Sequence, residues 1–70
     1  MNKPRYKLKR AQAIVVGDYV SMVAYHHRQD CEVNRVRPCN SDIDIRLHSR
    51  AGANVYRCEK PMAYLPVRIN

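Results

Sequence analysis

Asp42-Ile43-Asp44-Ile45-Arg46-Leu47-His48 alternates polar and apolar residues without a break. A period of two puts Ile43, Ile45 and Leu47 on one face of an extended chain and the charged side chains on the other. A helix would turn Ile45 away from its two apolar neighbours, so the segment is a half-buried β-strand. Weaker versions of the pattern recur along the chain. From Tyr19 the residues Val20, Met22 and Ala24 share one face, and Tyr19, Ser21, Val23 and Tyr25 the other. Cys31 to Arg37 reads as a further strand in which Val33 and Val36 are out of phase, and a β-bulge between them returns both to the core. Asn54 to Glu59 and Val67 to Ile69 complete five strands. Val16-Gly17-Asp18, His26 to Asp30, Pro38-Cys39-Asn40-Ser41 and Ser49 to Ala53 are the turns and loops between them. Pro61 to Leu65 suits one helical turn opened by a proline, with Pro66 ending it before the last strand. Short strands at this spacing specify an all-β sandwich or barrel.

Seventy residues allow one small domain and exclude a large cleft or a dinucleotide-binding fold. The longest apolar runs, such as Ala13 to Val16, are four residues, too short for a membrane span or a signal-peptide core. Cys31, Cys39 and Cys58 are an odd set, which favours a reducing cytoplasm with the thiols as small buried hydrophobes over a disulfide framework. Their spacing, eight and then nineteen residues, contains no close pair of the kind zinc sites use, so no metal and no cofactor is expected. Asp42 and Asp44 share a strand face and read as a solvated surface.

The formal net charge of +7 is unevenly distributed. Lys3, Arg5, Lys7, Lys9 and Arg10 crowd the first ten residues with no acid among them. Like charges in such density repel, so residues 1–12 are expected to form a flexible basic arm on a domain spanning 13–70. An arm of this kind displaces counterions from phosphates, and Tyr6, between Arg5 and Lys7, has a ring that stacks on a base. Arg28, Arg35, Arg37 and Arg57 on the body are arginines, which bind phosphate bidentately where lysine does not. A solubilising tail with local surface ion pairs is the plainer account of the same charges. Tyr25-His26-His27, leading into Arg28, forms a candidate recognition loop, or else a merely solvated hairpin end.

Short strands must hide their edges, and closure into a barrel does so. The first strand, Val16-Gly17-Asp18-Tyr19-Val20, and the one-turn insert Pro61 to Leu65 resemble the SH3-like small barrels over residues 13–70. The resemblance implies a five-stranded barrel with one helical turn before the last strand, and a binding role for its first long loop. In size and charge the chain also resembles small regulatory proteins of bacteria or their phages. The tail, Ala53 to Asn70, is similar to the type II dihydrofolate reductases, tetrameric SH3-like barrels with a Val-Gln-Ile-Tyr strand in a central pore. Here Val55-Tyr56-Arg57-Cys58 keeps only the valine and lacks the substrate-facing glutamine, so the activity does not carry over. The expectation is a non-enzymatic binding protein whose partner is nucleic acid, DNA or RNA. A host enzyme or transcription component offering an acidic surface, and a small homo-oligomeric reductase, are the alternatives. No membrane is involved in any of them.

Overall fold

In the computed structural model, which describes residues 3–70, period-two alternation sets the whole architecture. Six strands, β1 (Tyr6–Arg10), β2 (Tyr19–Ala24), β3 (His27–Cys39), β4 (Asp42–His48), β5 (Asn54–Glu59) and β6 (Tyr64–Arg68), form one antiparallel sheet in the order β1-β6-β2-β3-β4-β5. The all-β class and the strands at Asp42–His48 and Asn54–Glu59 agree with the sequence reading. So does the bulge: the β3–β4 register shifts between Val33 and Arg35, which leaves Val33 fully buried and Val36 packed against the core. That core is a single cluster built from Ile14, Val20, Met22, Cys31, Ile45, Leu47 and Val67 around Val33.

Several expectations are corrected. The sheet has six strands and is open, with no ladder joining β5 to β1 among the described residues. The extra strand comes from the segment expected to be a free arm. Tyr6 to Arg10 pair with Arg68 to Tyr64 residue for residue. Beyond the strand, the Arg5 carbonyl accepts the Ile69 N–H at 2.9 Å, and the Arg5 N–H donates to Asn70 Oδ1 at 2.8 Å. The physical reason is that Tyr6 and Leu8 alternate with Lys7 and Lys9, a strand pattern masked by its charge. Of the expected arm, Met1 and Asn2 lie outside the described residues.

The helical turn also moves. Lys60 to Ala63 is a hydrogen-bonded turn, and Pro66 lies inside β6 rather than before it. Pro66 is tolerated because β2 and β6 pair only at Val20 and Val67 and then diverge, so one flank of the proline has no ladder to serve. The single 3₁₀ turn of the described residues is at Ala11–Ala13, where the Ala11 N–H donates to the Ala63 carbonyl at 2.8 Å and carries the β1–β6 pairing onward. Gly17, at φ +99°, makes the next turn, a conformation that favours glycine. Asp18 locks it by accepting the Val15 N–H at 3.0 Å.

The expected loop at His26 to Asp30 contracts to a turn at Tyr25 and His26, and β3 begins at His27. Of the three thiols only Cys31 is buried; Cys39 and Cys58 are exposed. With the sheet open, its edges are blunted by charge instead of closure: Lys7 and Lys9 on β1, and Arg57 with Glu59 on β5.

Candidate nucleic-acid interface

The strand phase that buries Val20, Met22 and Val67 turns their neighbours outward. On the outer face of β1, β6 and β2 stand Tyr6, Leu8, Tyr64 and Tyr19, each more than two-fifths exposed, with Val23 beside them. Arg10 shares this face through its register with Tyr64, and its guanidinium lies 4.6 Å from the centre of that ring. Its Nη1 also donates to the Met62 carbonyl at 3.2 Å. These two contacts place the guanidinium over the tyrosine ring.

Asp30 of β3 ties the face together. Its Oδ1 accepts the Tyr6 hydroxyl at 2.7 Å and its Oδ2 accepts Arg68 Nη1 at 3.0 Å, so one carboxylate joins β3 to β1 and β6. The hydrogen bond to Asp30 pushes the Tyr6 hydroxyl above its ordinary pKa, because deprotonation would set two anions side by side. At the other end of β1, Lys9 Nζ lies 2.8 Å from Asp18 Oδ2. Partial burial alone would raise the Asp18 pKa; the hydrogen bonds from Lys9 and from the Val15 N–H outweigh it and hold the carboxyl below its ordinary value.

The structure separates the basic candidates into two groups. Lys9, Arg35, Arg37 and Arg57 are within ion-pair distance of Asp18, Asp44, Asp44 and Glu59 respectively, as is Lys60 with Asp42. Lys3, Arg5, Lys7 and Arg10 have no carboxylate within that distance among the described residues, and neither does Arg28. Of these unpaired cations Arg10 stands on the tyrosine face itself, while Lys7 alternates with Tyr6 and Leu8 and projects from the other side of the β1 edge. Arg5, Lys7 and Arg10 owe their position along this edge to β1 and its Arg5 extension.

Tyr25, His27 and Arg28 do come together, at the β2–β3 end, and they meet a residue that sequence reasoning missed. Arg50, on the β4–β5 loop, lines the same recess. Only the three-dimensional path of that loop places it there, since nothing local marks Arg50 out from other loop arginines. His26 shares the turn but does not line the recess. Tyr64 was likewise missed, although its alternation with Pro66 and Arg68 was a usable signal.

Cys58 Sγ lies 3.7 Å from Asp42 Oδ2, and local desolvation together with that carboxylate pushes its thiol pKa up, away from thiolate reactivity. Among the described residues no three His, Cys, Asp or Glu side chains are grouped to hold a metal ion, and no helix is long and apolar enough to cross a membrane. Comparison with protein-family models, curated proteins and solved structures gives no match to this chain.

Proposed function

We propose that this chain is a non-enzymatic nucleic-acid-binding protein that lays a single-stranded segment across the outer face of β1, β6 and β2. The observation that carries the reading is a face of exposed tyrosine rings, Tyr6, Tyr64 and Tyr19, that holds the unneutralised Arg10 and is bordered along the β1 edge by Arg5 and Lys7, whose side chains alternate to the other side. Rings on a sheet stack on unpaired bases, at about 1–3 kcal/mol per base, while the cations follow the phosphates. A duplex keeps its bases stacked inside and has no use for such rings. Arg28 of β3, across from Val23 of β2, extends the track.

We also read the sheet as curled in the SH3-like way. In support, Arg57 of β5 shares a groove of about 390 Å³ with Met22 and Val23 of β2 and Leu65 and Pro66 of β6, so the β5 side bends toward β6. Three free thiols suit a reducing, cytoplasmic setting.

The test is fluorescence anisotropy of labelled single-stranded DNA and RNA across a salt series. Each phosphate contact contributes about −0.7 to the slope of log K against log salt for a single strand. Four contacts from Lys3, Arg5, Lys7 and Arg10 give a slope near −2.8, which their joint replacement by alanine removes. Absence of binding to single strands and duplex alike at low salt overturns the proposal. In that event the exposed Leu8 and Val23 favour the second reading, a protein-binding regulator steered to an acidic partner surface.

A further inference from the structure

One of the two-residue turns of the sheet has an unexpected composition. Tyr25 and His26 connect β2 to β3 with φ of +52° and +68°. Two-residue hairpin turns with both central residues at positive φ ordinarily use Asn-Gly or Asp-Gly. A tyrosine held there is strained, and such strain persists where the surrounding structure enforces it. The enforcing group is Gln29. Its Nε2 donates to the Ala24 carbonyl at 2.9 Å, and its Oε1 accepts the Arg50 N–H at 2.8 Å. One half-buried amide therefore clamps the β2–β3 turn to the β4–β5 loop.

Between the two lies a recess of about 360 Å³ lined by Tyr25, His27, Arg28, Gln29, Arg50 and Ala51. No acid lines it. Arg28 Nη1 makes a 3.3 Å hydrogen bond to Ser21 Oγ, and neither Arg28 nor Arg50 has a carboxylate within ion-pair distance among the described residues. One guanidinium at the start of β3 and one on the β4–β5 loop thereby face the recess, beside a ring on a constrained backbone. Their mutual repulsion is relieved by an anion between them.

We propose that this recess is a nucleotide-phosphate site, in which Arg28 and Arg50 close on the phosphate from both sides and Tyr25 stacks on the attached base. Arginine suits the task because its planar fork matches phosphate oxygens bidentately. The volume accommodates one nucleotide, which limits the ligand to a free mononucleotide or the terminal nucleotide of a strand. The site lies at the β2–β3 end, apart from the tyrosines of β1 and β6, and shares only Arg28 with the track proposed above, so mononucleotide binding does not depend on strand binding there.

The test is an NMR amide titration of the full chain with adenosine 5′-monophosphate, with inorganic phosphate as a second probe. Saturable shifts confined to residues 25–29 and 49–52 are expected, with adenosine monophosphate binding more tightly than phosphate. Arg50→Ala should weaken binding at least about tenfold, the loss of one charge-assisted contact. Arg50 is exposed and its side chain makes no hydrogen bond among the described residues, so the variant retains the fold. Lys60→Ala should leave the affinity unchanged. Gln29→Leu should weaken binding although it removes no charge, because it releases the clamp.

Single-stranded oligonucleotides with a 5′-phosphate or a 5′-hydroxyl distinguish the two sources. A preference for the phosphate that Arg50→Ala abolishes supports the strand terminus, and equal affinity alongside adenosine monophosphate binding supports the free nucleotide. Shifts that do not saturate, or an Arg50→Ala variant that binds adenosine monophosphate as tightly as the parent chain, overturn the proposal. Loss of the salt-dependent strand binding with the mononucleotide shifts intact would instead defeat only the reading of the β1 face.

Discussion

The two wings of the sheet use the same kind of charge to opposite ends. In the β3–β4–β5 wing, Asp44 lies directly across from Arg37 and near Arg35, and Arg57 reaches Glu59 two residues along its own strand. Acids alternate with bases there, so the positive charge is consumed locally. In the β1–β6–β2 wing no strand carries an acid. Among the described residues only Asp18, from the turn before β2, and Asp30, from β3, reach across to neutralise Lys9 and Arg68. The contrast shows that the number of arginines matters less for binding than whether a carboxylate falls in register with them.

The comparison can be broken most decisively through packing. Leu47→Ala in β4 removes a side chain that is 1% exposed, and should cost about 2–5 kcal/mol. That is most or all of what a domain of this size has, so thermal melts by circular dichroism should show a largely unfolded chain. Leu8→Ala in β1, at 66% exposed, should change stability by no more than about 0.5 kcal/mol. A large loss at Leu8 would mean that the outer face is covered rather than open.

The charge contrast comes next. Replacing Lys3, Arg5, Lys7 and Arg10 together by alanine should reduce single-strand affinity at low salt by about a hundredfold or more. Arg35→Ala with Arg37→Ala should reduce it less than about threefold, since their charge already meets Asp44. Equal effects from both sets would erase the distinction between the wings.

A smaller effect sharpens the role of Asp18. Asp18→Asn should cost about 1–2 kcal/mol, through the Lys9 ion pair and the Val15 hydrogen bond. Because the folded carboxyl lies below its unfolded value, its contribution is present above the unfolded pKa and is lost as pH falls through the folded one. Melting temperature measured against pH should therefore fall less steeply on the acid side in the variant. Tyr6 has the opposite sign. Its raised pKa contributes below the ordinary tyrosine value and the contribution is lost as pH rises through the folded one, so Tyr6→Phe should flatten the alkaline limb slightly. The smallest effect is expected at the exposed Arg57–Glu59 pair, where Arg57→Ala should shift stability by about 0–1 kcal/mol.

Much of the body was legible from local pattern. The errorless alternation of Asp42 to His48 and the phase slip between Val33 and Val36 each have one structural solution, and both are observed. The first strand was hidden because five cations in ten residues suggest repulsion, whereas antiparallel pairing with β6 spreads them along an edge where water screens them. Pro66 misled in a similar way. Its missing N–H argues against a strand, and only the divergence of β2 from β6 removes the objection. Of the candidate site, the N-terminal cations and Tyr6 could be named in advance. The meeting of Tyr6 and Arg10 with Tyr64 on one face, and the approach of Arg50 to Arg28, depend on long-range pairing that no local spacing encodes.

The turn at Tyr25 and His26 has a bearing on how this molecule would respond to selection or redesign. Tyr25→Asn with His26→Gly would suit the backbone better and should yield a sturdier hairpin. It would also delete an aromatic ring and an imidazole from the corner where two unmatched guanidiniums converge. A chain tuned for robustness alone would have made that exchange, so the corner is where durability and usefulness pull apart.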